Sequence, residues 1–395
     1  MARTPLDASQ REHLMPITHA FDPVETSRAS FDPEAFKFLQ ISDTGAGGPG
    51  CYSNSITLCP SKMSIPWPSY FLGCRQGKHW KTAESMTKEL LDAIYKDSRK
   101  EAEADGKLPL ELEDTSSDIR TRKEIELVST SVKSATYMYP DASPVRAGMI
   151  AQLMLLIFLH DDVVENSPLE AGSTIADATF ATYAPMYGSV QRPRGALRRF
   201  LAAIDEEEPT LGKGLLTSVF TWFEHTKGYQ SIPPKVFESL RNYLDYRSDD
   251  IGRELLLSMA LFACNVHLVE GERKALATLI RLYSDHVSLT NDLYSFDREY
   301  GEHQRTGALF LNAVDLVCKL YQVSEATAKQ LVVGFILETE CAFSEELKKL
   351  TSSGWMSEGQ IRFAKALTEC LAGHILYSAT SGRYGVAKAA RGVSA

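Results

Sequence analysis

The stretch Ala147-Gly-Met-Ile-Ala-Gln-Leu-Met-Leu-Leu-Ile-Phe-Leu159 runs directly into His160-Asp-Asp-Val-Val-Glu165. Its first part is apolar on nearly every face of a 3.6-residue turn, the pattern of a helix surrounded by protein. At thirteen residues it falls short of the roughly 20 needed to cross a bilayer. Ser143-Pro144 ahead of it supplies an N-cap and a first-turn proline. A helix buried all round must sit among other helices, so this stretch predicts an all-α chain organised about it. Its end carries charge. Asp161 and Glu165 are four apart and share a face, with Asp162 about 100° round. Three carboxylates there repel one another if buried, and they oppose the helix dipole. Either this is a solvated helix end or cations neutralise it.

A second stretch, Asn291-Asp-Leu-Tyr-Ser-Phe-Asp-Arg-Glu299, places Asn291, Ser295 and Glu299 at every fourth residue. On a helix they form one stripe roughly 12 Å long. An amide, a hydroxyl and a carboxylate are hard-oxygen donors that suit magnesium and leave room for water and phosphate oxygens. The plain alternative is a polar helix face.

Outward from these two stretches the chain keeps a helical period. Patterns run over about 82–104, with Met86, Leu90, Leu91 and Ile94 on one face, and over 122–139, ending at Pro140. Others cover 171–188, 195–204, 210–226, and from Pro233-Pro234 to Tyr246. The remainder span 253–268, 272–300, 308–321, 324–350 and 357–378, with a short piece after Arg383. The acidic stretch from Glu101 to Asp118 reads as an exposed connection, and no convincing strand pattern or repeat is present. Residues 1–80 form an irregular N-terminal arm and 81–395 the α domain. Gly45-Ala-Gly-Gly-Pro-Gly50 follows no strand and contains a proline, so it is an ordinary loop rather than a phosphate cradle.

The 395 residues carry a net charge of −9, which argues against a nucleic-acid partner. The seven cysteines, Cys51, Cys59, Cys74, Cys264, Cys318, Cys341 and Cys370, are odd in number and scattered without C-x-x-C pairs. They fit buried thiols in a reducing compartment. The N-terminal residues lack the apolar region of a secretory signal, and the C-terminal ones lack a prenylation signal, so a cytoplasmic protein without a membrane span is expected.

Taken together, Asp161-Asp162-x-x-Glu165 and Asn291-Asp-x-x-Ser295-x-x-x-Glu299 resemble the two metal motifs of class I terpene synthases (terpene cyclases), especially the fungal and bacterial ones. The resemblance covers about residues 80–385. It is strengthened by Arg247, at the family's diphosphate-sensing arginine, and by Arg383-Tyr384, at its C-terminal Arg-Tyr pair. Arg298 falls where a basic residue commonly touches diphosphate. Departures are modest: Glu165 replaces an aspartate, Asp250 takes the linker position, Ile251 replaces a frequent glycine, and Tyr377 stands where tryptophan is frequent.

The resemblance implies a single-domain helical bundle around a central active-site cavity. It also implies three Mg2+ ions held by Asp161, Asp162 and Glu165 on one side and by Asn291, Ser295 and Glu299 on the other. Arg247, Asn291, Arg298, Arg383 and Tyr384 would bind diphosphate. The implied enzyme is a carbon–oxygen lyase that ionises a linear prenyl diphosphate and cyclises the allylic carbocation. Farnesyl diphosphate (C15) is the expected substrate and geranylgeranyl diphosphate (C20) the alternative, with a homodimer as a possible assembly. Aromatic faces steady such a cation; Phe158, Tyr246, Tyr377 and Trp355 are candidates, with Ile251 beside them as a further pocket-lining residue, and core packing is the plain reading for each aromatic. His160 points to another helix face from the carboxylates and reads as structural. A chain-elongating prenyl synthase usually carries a second Asp-Asp-x-x-Asp motif, which this chain lacks. A non-enzymatic helical scaffold would leave all four matching sites to coincidence.

Overall fold

The computed structural model describes residues 12–24, 53–105, 117–166, 195–228, 236–307 and 310–385; side chains at 98–105, 117–121, 162–166 and 227–228 are outside the description. The Gly45–Gly50 loop and the helical pattern at 171–188 therefore lie outside the described residues. The architecture is all-α. In chain order the helices are α1 (Trp80–Asp105), α2 (Ser117–Met138), α3 (Pro144–Asn166), α4 (Ala196–Glu207), α5 (Pro209–Gly228) and α6 (Leu240–Asp250). They continue as α7 (Arg253–Cys264), α8 (Glu270–Ala275), α9 (Ala277–Thr306), α10 (Ala313–Tyr321), α11 (Glu325–Ser352) and α12 (Glu358–Thr380).

The helix around which the sequence is organised, α3, packs mainly against α1 and α2. Ile150, Ala151, Leu153 and Leu155 are wholly buried along it. By length and composition Pro144–Asp161 could cross a membrane, but 67% of that window is buried inside the protein. The next layer is α9, α11 and α12, with α9 packed on both of the others. Helix α12 also lies on α2, at a separation that only glycine permits. A Cβ on Gly373 would stand 1.8 Å from the Tyr137 carbonyl oxygen.

Helix boundaries follow local chemistry that periodicity alone does not reveal. Ser239 caps α6 by accepting from the Asn242 amide at 3.2 Å, so the helix begins at Leu240 rather than at Pro233-Pro234. The span read as one helix over 272–300 is two, α8 and α9, separated at Leu276. Asn312 caps α10 through the Val314 amide at 2.9 Å, which delays that helix to Ala313. Asn265, with φ of 51°, closes α7 before the expected 268.

The region expected to be an irregular arm contains a short antiparallel pair, β1 (Ser55–Leu58) and β2 (Cys74–Gly77), in register Ser55 to Gly77. Each strand has only four residues, too few for an alternation pattern to register. β2 is buried at all four positions although two are polar. Arg75 donates to Ser55 Oγ at 2.8 Å and to Thr57 Oγ1 at 2.9 Å, which makes its burial tolerable. Farther on, wholly buried Glu340 of α11 accepts from Ser69 Oγ at 2.8 Å and the Tyr70 amide at 2.7 Å. It also meets His286 Nε2 of α9 at 3.0 Å. The segment before α1 is thereby stitched into the helical core.

Gly373→Ala must push α12 off the α2 backbone, and a destabilisation of about 1–3 kcal/mol is expected. Gly334, on α11 with open space around it, serves as the control: Gly334→Ala should stabilise by up to about 1 kcal/mol. Urea unfolding followed by circular dichroism measures both.

Candidate active site

Four elements bring the sequence-predicted residues together: the C-terminal part of α3, α6, the middle of α9 and the turn after α12. On α9, Asn291, Ser295 and Glu299 form the stripe the spacing requires. Asn291 Oδ1 accepts from Arg247 Nη2 of α6 at 3.0 Å, and its Nδ2 donates to the Tyr384 hydroxyl at 3.1 Å. Glu299 Oε2 accepts from Asn312 Nδ2 at 3.0 Å. Ser295 is wholly buried, and among the described residues its hydroxyl has no hydrogen-bond partner.

Arg247 is buried and strongly held. Its Nε and Nη2 donate to Asp292 Oδ1 at 3.1 and 2.9 Å, and its Nη1 contacts Asp250 Oδ2. Asp292, fully buried, also accepts at Oδ2 from the Tyr243 hydroxyl at 2.5 Å and from the Ala313 amide at 2.9 Å. Burial pushes the Asp292 carboxyl above its usual range, while the Arg247 guanidinium and the two hydrogen bonds hold it back. The Asp292 carbonyl accepts from Asn312 Nδ2 at 2.8 Å. The α10 cap thus grips both Asp292 and Glu299.

At the other side of the site, Arg383 Nη2 donates to Asp161 Oδ2 of α3 at 2.7 Å. Its guanidinium lies 5.2 Å from the Phe158 ring centroid. Phe158 stacks on Tyr377 at 6.3 Å with 10° between planes, and Tyr377 meets Tyr384 edge-on at 6.0 Å. Burial raises the Tyr384 hydroxyl above its ordinary value, with Arg383 and Arg298 opposing. The Arg298 guanidinium stands 6.0 Å from the Tyr384 ring and its Nη1 is 3.8 Å from Glu302 Oε1. The side chains of Asp162 and Glu165 lie outside the described residues.

The other candidates fall elsewhere. Tyr246 packs on His225 and Phe237 at the α5–α6 side, with its hydroxyl pushed up to about 12 by burial. Ile251 caps the C-terminus of α6 through its amide on the Arg247 carbonyl at 2.8 Å. Trp355 is 51% exposed in the connection between α11 and α12, away from the aromatic pair, because that connection lies at the surface. His160 is buried against Trp222 and Phe223 with Nε2 at 2.9 Å from Thr226 Oγ1, and burial lowers it to about 4. Sequence reasoning passed over Asp292, Tyr243 and Asn312. Asp292 carried a signal, being a charge among the apolar residues Leu289 and Leu293 of a core helix.

Among the described residues no group of three His, Cys, Asp or Glu side chains could hold a metal. The α9 stripe offers a different donor set, with one carboxylate. Its orphaned Ser295 hydroxyl fits a bound cation, because a buried hydroxyl without a partner costs about 1–3 kcal/mol that a ligand can recover.

A family model described as "Terpene synthase family 2, C-terminal metal binding" matches residues 152–340, a span that contains both motifs. Terpene cyclase 6 of Gibberella fujikuroi is 29% identical over 94% of this chain and 95% of its own length. Over both metal motifs the chain is similar to the terpene synthases. Terpene cyclase aneC of Aspergillus aculeatus is a further relative, 26% identical over 94% of the chain and 82% of its own length. The crystal structure of aristolochene synthase from Penicillium roqueforti shares the fold, with a TM-score of 0.59 at 18% identity, covering 78% of this chain and 96% of that one.

Asp292→Ala leaves the buried Arg247 with Asp250 as its carboxylate partner and takes the acceptor from Tyr243 and the Ala313 amide, and a loss of about 3–5 kcal/mol in unfolding free energy is expected. Tyr243→Phe removes one hydrogen bond and should cost about 1 kcal/mol. Guanidinium chloride titrations of the two variants beside the parent protein would show this ordering; equal losses would contradict it.

Proposed function

We propose that this protein is a magnesium-dependent sesquiterpene cyclase that ionises farnesyl diphosphate, closes the resulting allylic cation into one or more rings and releases diphosphate, as a carbon–oxygen lyase. One observation carries the reading. Asp161 contacts Arg383, whose neighbour Tyr384 contacts Asn291, which contacts Arg247, at 2.7, 3.1 and 3.0 Å. Groups from four distant parts of the sequence thus form one continuous polar chain between the two metal motifs. Relatives named aristolochene synthase in Penicillium expansum and Aspergillus terreus, 24% and 22% identical to this chain, support the C15 substrate, aristolochene being a C15 hydrocarbon.

Asp161, Asp162 and Glu165 would hold Mg2+ on one side, and Asn291, Ser295 and Glu299 on the other, three ions in all. When bound, the ions would neutralise the diphosphate charge and so make it a competent leaving group. The protein's own cations would add to this. Arg247, Arg298, Arg383 and the Tyr384 hydroxyl are positioned to donate to diphosphate oxygens, fixed in place before substrate arrives. Arg247 keeps Asp292 and Asp250 as partners and offers Nη2, already aimed at Asn291, toward the site.

Below the polar chain, the stacked Phe158 and Tyr377 rings present faces that stabilise a cation without trapping it, worth roughly 1–2 kcal/mol each when desolvated. An allylic cation reacts with water at once, so this apolar wall also serves to exclude water.

Asn291→Ala and Glu299→Ala should each lower magnesium-dependent diphosphate release by at least about 100-fold, and chelation of the metal should abolish it in the parent. Gas chromatography–mass spectrometry of hexane extracts, after incubation with farnesyl or geranylgeranyl diphosphate, identifies the substrate. Turnover of the C20 diphosphate alone would replace the sesquiterpene assignment by a diterpene one. Longer diphosphates formed from dimethylallyl and isopentenyl diphosphate would indicate chain elongation instead.

A further inference from the structure

After α12 the helix breaks at Ser381, and a further helical turn over 382–385 carries Arg383 and Tyr384. A helix C-terminus leaves its last carbonyls without intrahelical partners. Two of those in α12 are met from outside the helix. The Ala379 carbonyl accepts from the Phe21 amide at 2.7 Å, and the Thr380 carbonyl from Lys133 Nζ of α2 at 2.7 Å. The N-terminal segment therefore completes the helix end from which the Arg-Tyr turn departs.

The same segment presses on the turn itself. A Cβ on Gly385 would lie 2.1 Å from His19 Nε2 and 2.7 Å from Phe21 Cβ. On the opposite side, a Cβ on Gly382 would lie 2.4 Å from Glu126 Oε1 of α2. The turn is pinched between the segment and α2, and glycine at both contact points allows the approach. The Phe21 ring is buried and meets Tyr294 edge-on at 6.1 Å. Tyr294 immediately precedes Ser295 on α9. One side chain thus touches the carrier of the stripe while its own backbone holds the carrier of the Arg-Tyr pair.

The segment is itself anchored. Wholly buried Gln76 of β2 donates to the His13 carbonyl at 2.7 Å and accepts from the Met15 amide at 2.9 Å, and Trp80 Nε1 donates to the same His13 carbonyl at 3.2 Å. At its far end, Asp22 Oδ1 closes a turn on the Val24 amide at 3.0 Å.

We infer that residues 13–24 act as a strap that sets the position of the Arg383–Tyr384 turn against α9, with Phe21 as its positioning residue for diphosphate binding. This rests on the diphosphate role proposed above for Arg383 and Tyr384. The metal motifs on α3 and α9 do not depend on the strap for their place in those helices. Its loss should therefore weaken the grip on diphosphate while the bundle stays folded.

The test measures binding of inorganic diphosphate with Mg2+ by calorimetry, and KM and kcat for farnesyl diphosphate, in the full-length chain. Phe21→Ala removes the ring, Phe21→Leu restores most of the apolar contact, and Gly385→Ala wedges the turn away from the strap. Phe21→Ala and Gly385→Ala should each weaken diphosphate binding and raise KM about tenfold or more, since displacing a binding group by about 1 Å has effects of this size. Phe21→Leu should recover most of the loss. Val332→Ala, in the core of α11, is the control for destabilisation and should leave diphosphate affinity within about twofold at 25 °C. Parent-like diphosphate affinity in Phe21→Ala or Gly385→Ala would overturn the inference, as would an equal loss in Val332→Ala. A parent protein that neither binds diphosphate nor releases it from a prenyl diphosphate would instead sink the functional assignment beneath it.

Discussion

The site depends on one buried ion pair. Asp292 has no exposed surface and sits midway along α9, where an unpaired carboxylate would be prohibitively costly. Its four hydrogen bonds come from three residues: Arg247 twice and Tyr243 from α6, and the Ala313 amide from the start of α10. Satisfying that carboxylate fixes α6, α9 and α10 relative to one another. Because Arg247 also reaches Asn291, and Asn312 also reaches Glu299, the stripe is oriented by the same bonds. A desolvated charge is an expensive anchor, but its direction is unambiguous.

The cations of the site share a common design. Arg247 rests between Asp250 and Asp292, and Arg383 rests on Asp161. Each guanidinium is held at low entropy near the place where an anion would bind, with carboxylates keeping the local charge balanced. The Phe158 ring beneath Arg383 joins the polar chain to the apolar wall. In this way a chain with a net charge of −9 keeps guanidinium groups beside the carboxylates of the proposed diphosphate site.

The part of the chain least legible in sequence proved structural. Polar residues ahead of α1, such as Arg75, Gln76 and Ser69, look like surface-loop residues one at a time. Each is buried because a specific distant partner consumes its hydrogen-bonding groups: Ser55 and Thr57, His13 and Met15, and Glu340. Such pairings span up to 271 positions and leave no periodic trace. The pocket-lining candidates behaved alike. Phe158 and Tyr377 meet face to face, whereas Trp355 is exposed, and nothing in their local sequence separates them.

The sequence by itself determined the helical class, the central position of the apolar run before Asp161, and the stripe of Asn291, Ser295 and Glu299. These are matters of period: 3.6 residues per turn puts i and i+4 on one face whatever lies around the helix. Tertiary structure alone decided which side chains face those motifs. It turned Asp292 from a neighbour of Asn291 into the anchor of Arg247, and the α10 cap Asn312 into a clamp on Glu299. It also folded residues 13–24 against the turn bearing Arg383 and Tyr384. Those contacts join segments tens to hundreds of residues apart, and only burial, with its demand that every desolvated polar group find a partner, brings them into register.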